Sequence, residues 1–146
     1  MIVPSICTTP LIQSFVSLGI PYVSQPQSRL VLQTRSNDGF ERQRAARDII
    51  ADLQPWAAPF VVALIGEYIV EILDDIYAAL TPGNAQTLAA FIVQNETYWS
   101  TTKRRVMSYW DVYYRSRGSS ETRHSYRRDE YIGFKLIDRL ETAAIG

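Results

Sequence analysis

Two columns of residues spaced by seven run from Ala85 to Tyr113 and confine this part of the chain to helix. Ala85, Ile92, Trp99, Val106 and Tyr113 form one column; Leu88, Asn95, Thr102 and Tyr109 form the other. Seven residues are close to two helical turns, so both columns share one face. They make a seam that packs on neighbouring helices or pairs with another chain. The spacing predicts one long helix over about 85–115.

Upstream, the apolar residues Val61, Val62, Ile65, Ile69, Ile72, Leu73, Ile76 and Leu80 recur at helical spacing. They predict a second helix from Pro59 to about Leu80, because proline is tolerated in a first turn. Thr81-Pro82-Gly83 reads as its stop, and Asn84 as the cap of the long helix that follows. Before it, Asp38 and Glu41 stand as an N-cap and N3 pair, a capping-box arrangement, opening a helix over Phe40–Gln54 that Pro55 ends. A final helix is expected over 129–143, with Ile132, Leu136, Ile137 and Leu140 inward.

Residues 1–36 differ from this body. Pro4, Pro10, Pro21 and Pro26 forbid a long helix there. An irregular segment is expected, with a short helix over Leu11–Leu18 and a short strand at Leu30–Leu32. Its uncharged, Ser-rich composition also fits an export signal for a specialised secretion system. The fold class is therefore all-α: a compact bundle of about four main helices over 37–146, with 1–36 laid across it, the whole of 1–146 forming one domain.

Charge is segregated along the chain. Residues 61–100 carry Glu67, Glu71, Asp74, Asp75 and Glu96 without one Lys or Arg, whereas 101–128 carry eight basic side chains against Asp111 and Glu121. The acidic second helix and basic third helix are expected to lie together, using the opposition for pairing specificity, since exposed ion pairs add little stability. The whole chain has no formal net charge at 146 residues, so any nucleic-acid or lipid partner must use a local patch. The single cysteine, Cys7, rules out an internal disulfide, and the first charged residue is Arg29. No basic leader precedes the apolar residues of the N-terminus, and the longest apolar run, 57–66, is too short to span a bilayer. A cytoplasmic protein without membrane insertion is expected.

Three functional classes follow. The first is a non-enzymatic interaction module, binding a protein partner or a second copy of itself, with Trp99, Tyr109, Trp110 and Tyr114 as anchors where the seam is exposed. The second is anion or nucleic-acid binding by Arg104, Arg105, Arg115, Arg117, Arg123, His124, Arg127 and Arg128, centred on the loop around Gly118-Ser119-Ser120. Helical geometry favours the loop, because it places most rings on the inward seam and Arg104 and Arg115 opposite. The third is an enzyme with a carboxylate site at Glu67, Glu71 and Asp74. Metal-binding bundles need further carboxylates and histidines on facing helices, and His124 is the only histidine. Glu67, directly after Gly66, reads as a half-exposed acid on the helix flank in preference to a buried carboxylate at a close helix crossing. Cys7 and His124 lack a local catalytic signature. No catalytic residue, metal or cofactor is assigned, and the protein is expected not to be an enzyme.

Overall fold

The all-α class holds, with more and shorter helices than the periodicity suggests. The computed structural model describes residues 25–115 and 125–146. Among them are seven α-helices and no strand: α1 (Gln25–Gln33), α2 (Gly39–Ala51), α3 (Ala58–Ile65), α4 (Val70–Ala79), α5 (Pro82–Gln94), α6 (Glu96–Tyr109) and α7 (Ile132–Ile145). A 3-10 turn (Pro55–Ala57) precedes α3, and a π turn (Trp110–Tyr114) continues α6. The expected helix over Leu11–Leu18 lies outside the described residues.

The most apolar element sits at the centre. α3 buries Ala58, Val61, Val62, Leu64 and Ile65, and it touches α2, α4, α5 and α6. A helix apolar on all sides has no face to offer water, so its neighbours must enclose it. Around it, α5 pairs with α7 and α2 with α4, while α1 packs on α2. None of the helices among the described residues is long and apolar enough to cross a membrane.

Both expected long helices are broken. The second stops at Gly66, and α4 begins again after Ile69, whose backbone is extended (φ −83°, ψ 106°). Gly66 caps the end at a close crossing: a Cβ there would lie 3.3 Å from Arg105 Cδ and 3.6 Å from Thr102 Cγ2, both on α6. The inward stripe resumes on α4 in register, so periodicity alone could not reveal the break. The third breaks at Asn95, which ends α5 and opens α6 with φ −130° and ψ 56°. Its side chain donates from Nδ2 to the Phe91 carbonyl at 2.9 Å, the local competition with helix geometry for which asparagine is suited.

Leu30–Leu32 is helical, not a strand. Pro26 falls in the first turn of α1, where it is harmless, and Leu30 and Val31 pack on the core. At α2, Asp38 accepts from the Phe40 amide at 2.9 Å. Glu41 does not close the expected box; Ser36 stands between, its Oγ accepting from the Asp38 amide and donating to Glu41 Oε2. At α5 the cap is Thr81, not Asn84. Thr81 Oγ1 accepts from the Asn84 amide, and Asn84 Oδ1 from the Thr81 amide at 2.7 Å. The segment expected to stop one helix therefore starts the next, with Pro82 at its first position.

The acidic and basic helices do meet, through α3 against α6, but their charged side chains pair with other elements. Asp75 on α4 takes Arg47 Nε at 2.8 Å and Gln43 Nε2 at 2.5 Å, both from α2. Basic α6 pairs with α7, where Glu141 accepts from Lys103 Nζ at 2.7 Å and from Trp99 Nε1 at 3.0 Å. Those two donors, Lys103 foremost, hold the Glu141 carboxyl below its ordinary value. Arg139 of α7 donates to the carbonyls of Tyr77 and Leu80, closing the end of α4.

Candidate interaction surface

A π turn closes the stretch that carries most of the clustered aromatic residues. Its closing bond runs from the Arg115 amide to the Trp110 carbonyl, five residues back, at 2.7 Å. The rings here fall into two sets, Tyr109 with Tyr113 and Trp110 with Tyr114, each pair four residues apart and so on one face; Tyr113 and Tyr114 join the sets edge-on at 6.4 Å.

The inner set faces α7. Trp110 meets Phe134 edge-on at 5.6 Å, and Tyr114 stacks on Tyr131 at 5.3 Å. Trp110 Nε1 donates to the Tyr126 carbonyl at 2.9 Å, and the Tyr114 hydroxyl donates to the Tyr68 carbonyl. Burial, with Glu71 nearby, raises the Tyr114 hydroxyl above its ordinary pKa. Tyr131 is wholly buried, and its hydroxyl has no hydrogen-bond partner among the described residues; burial pushes it far above the usual tyrosine range. An unpaired buried hydroxyl costs free energy without return. Tyr131→Phe is therefore expected to leave stability unchanged or raise it by up to about 1 kcal/mol in urea unfolding; a loss would mean the hydroxyl is engaged.

The outer set is a tyrosine patch. Tyr68, from the link between α3 and α4, touches Tyr109 at 5.9 Å and Tyr113 at 5.7 Å, and those two stack at 6.1 Å. Tyr113 is 52% exposed and Tyr68 46%. Val112, beside them in the π turn, is also exposed. Sequence reasoning missed Tyr68, because the periodicity hid the break that turns it outward.

The four expected anchors fare differently. Trp99 is 5% exposed and its indole is committed to Glu141, so it belongs to the core. Trp110 and Tyr114 are half-buried in the inner set, and Tyr109 alone joins the patch.

Four of the expected cations among the described residues are engaged locally. Arg104 donates to Thr101 Oγ1 in its own helix. Arg115 pairs with Asp111 at 2.8 Å and lies over Trp110. Arg127 pairs with Asp129 at 2.9 Å, and Arg128 lies over the Phe134 ring. Arg117, Arg123 and His124 lie outside the described residues, as does Cys7.

The carboxylate stripe is divided too. Glu67 sits in the link before α4, its side chain 32% exposed and 3.9 Å from Arg42 Nη2. It is thus half-exposed, yet beside a close crossing at Gly66. Asp74 lies on α4 near Glu71 and Asp75, and its own desolvation, then those charges, raise its pKa. Among the described residues no three metal-ligating side chains come together to hold an ion; the one Glu-x-x-His spacing, Glu121 to His124, lies outside them.

Compared with known proteins, the chain matches no family model, and no curated protein or solved structure matches it.

Proposed function

We propose that this chain is a non-enzymatic interaction module that binds a protein partner through the tyrosine patch of Tyr68, Tyr109 and Tyr113. The observation that carries the reading is three tyrosine rings in mutual contact at a surface, two of them about half exposed. Tyrosines supply large contact area with little rotamer entropy to lose, and they are enriched at interface centres. The inner rings and their hydrogen bonds hold the π turn against α7, so the outer rings are pre-arranged for docking.

The test is a double substitution, Tyr68→Ser with Tyr113→Ser. Both side chains are solvated, so the melting temperature is expected to stay near that of the parent. A partner captured by the parent chain, or its own self-association in sedimentation, is expected to weaken by about tenfold or more, as for loss of a central anchor. Undiminished binding by the double variant would sink the reading, as would a parent chain that stays monomeric and captures nothing.

A further inference from the structure

A polar groove of about 400 Å³ adjoins the patch and shares Tyr68 with it. The α1–α2 loop contributes Arg35 and Ser36, α2 contributes Arg42, and α6 contributes Arg105; the one acidic side chain in the lining is Glu67. The nearby Glu41 is taken by Ser36, and Asp38 by its cap bond to Phe40. The groove therefore carries an excess of positive charge.

Its arginines are placed before any ligand arrives. Arg42 is 12% exposed. It donates from Nη1 to the Ser36 carbonyl at 2.6 Å, while its Nε is buried with no partner among the described residues. Its ion-pair partner among the described residues is Glu67, at the long distance of 3.9 Å. The stem of Arg105 is laid against Gly66, where a Cβ would come within 3.3 Å of Cδ. Among the described residues neither Arg35 nor Arg105 forms an ion pair. The groove of about 370 Å³ between α2 and α5 differs, since its one arginine, Arg47, already holds Asp75.

Guanidinium groups match carboxylate and phosphate oxygens in a planar, two-point geometry that ammonium groups lack. We infer that Arg35, Arg42 and Arg105 receive an anionic side chain of the protein that docks on the tyrosine patch, so the partner is an acidic segment with apolar side chains interspersed. This rests on the interaction reading above. The shared chemistry is a carboxylate, as in Asp or Glu, or a phosphorylated side chain.

The test uses the full chain and a fluorescent peptide of alternating Glu and Leu, read by anisotropy at low salt. Binding is expected, and it should weaken by about tenfold in each of Arg35→Glu and Arg105→Glu, while Arg29→Glu, at an exposed position of α1, makes the same charge change without this loss. Glu67→Gln should tighten binding, and replacing every Glu of the peptide by Gln should abolish it. A phosphoserine in place of one Glu identifies the source: tighter binding marks a phosphorylated partner, equal or weaker binding a carboxylate. No binding of the Glu-Leu peptide, equal loss in the Arg29 variant, or full displacement by a single-stranded oligonucleotide would overturn the proposal. The two readings fail separately. Tyrosine variants that lose the partner while both arginine variants keep the peptide leave the patch and remove the groove; the reverse pattern removes the patch.

Discussion

Replacing Gly133 by alanine is expected to destabilise the protein by on the order of 3 kcal/mol, although alanine is the better helix former by about 1 kcal/mol. Gly133 is buried in the first turn of α7. A Cβ there would lie 2.6 Å from Tyr131 Cε1 and 2.7 Å from Val106 Cγ1. Neither neighbour can yield cheaply, because both are wholly buried. Tyr131 is further held between the rings of Tyr114 and Phe134. Overpacking therefore outweighs propensity, and the urea midpoint should fall with the slope unchanged; the melting temperature should drop by about ten degrees. Valine at this position should cost more. Gly83→Ala is the opposite case: in the first turn of α5 its Cβ would meet nothing closer than Thr81 Oγ1 at 3.9 Å, so propensity acts alone and a small gain is expected. Equal stability of Gly133→Ala and the parent would show that α6 and α7 can separate at no cost.

Helix class and inward residues were legible because side-chain periodicity records burial, and burial survives interruption of the backbone. Ile65, Ile72 and Ile76 are all buried although Gly66 to Ile69 divides them into two helices. The same property hid the breaks. A chain can leave one helix and enter another with its apolar face still turned to the same core, so the pattern reports the face and not the continuity. Local chemistry did mark the interruptions: Gly66 before Glu67, and Asn95 as a polar member of an apolar column. The candidate site was harder to read because it depends on them. Tyr68 lies in the link where α3 has ended, and Tyr113 stands in the widened last turn, where its ring meets Tyr68 and Tyr109. Seven-residue spacing places Tyr113 in line with Val106, which is buried, yet Tyr113 is 52% exposed. The charge pattern misled for a related reason. Sequence proximity suggested that the acidic and basic segments pair with each other, whereas α2 and α7 lie closer to the groups concerned and supply Arg47 and Glu141.

Trp99→Ala is expected to cost about 4 kcal/mol, the range for removing a large aromatic side chain from a core. Trp99 is buried with Val106, Leu136 and Leu140 in one apolar cluster. Its loss leaves a cavity and removes one of the two donors that hold Glu141. Any loss of binding in this variant would then follow from loss of folded protein, and should be restored by conditions that restore the fold. Tyr113→Ala should do the reverse, keeping the melting temperature near that of the parent while weakening partner binding, because its ring is more than half solvated. Trp99→Phe separates the two contributions of the indole. It keeps most of the packing and deletes only the bond to Glu141. The sign of the remaining effect follows from the depressed carboxyl. Stabilisation from an ionised Glu141 is present above its ordinary pKa of 4.5 and lost as pH falls through the lower folded value. The phenylalanine variant should therefore differ most from the parent near neutral pH and converge with it in acid. A gap that stayed constant across that range would assign the whole effect to packing and none to the hydrogen bond.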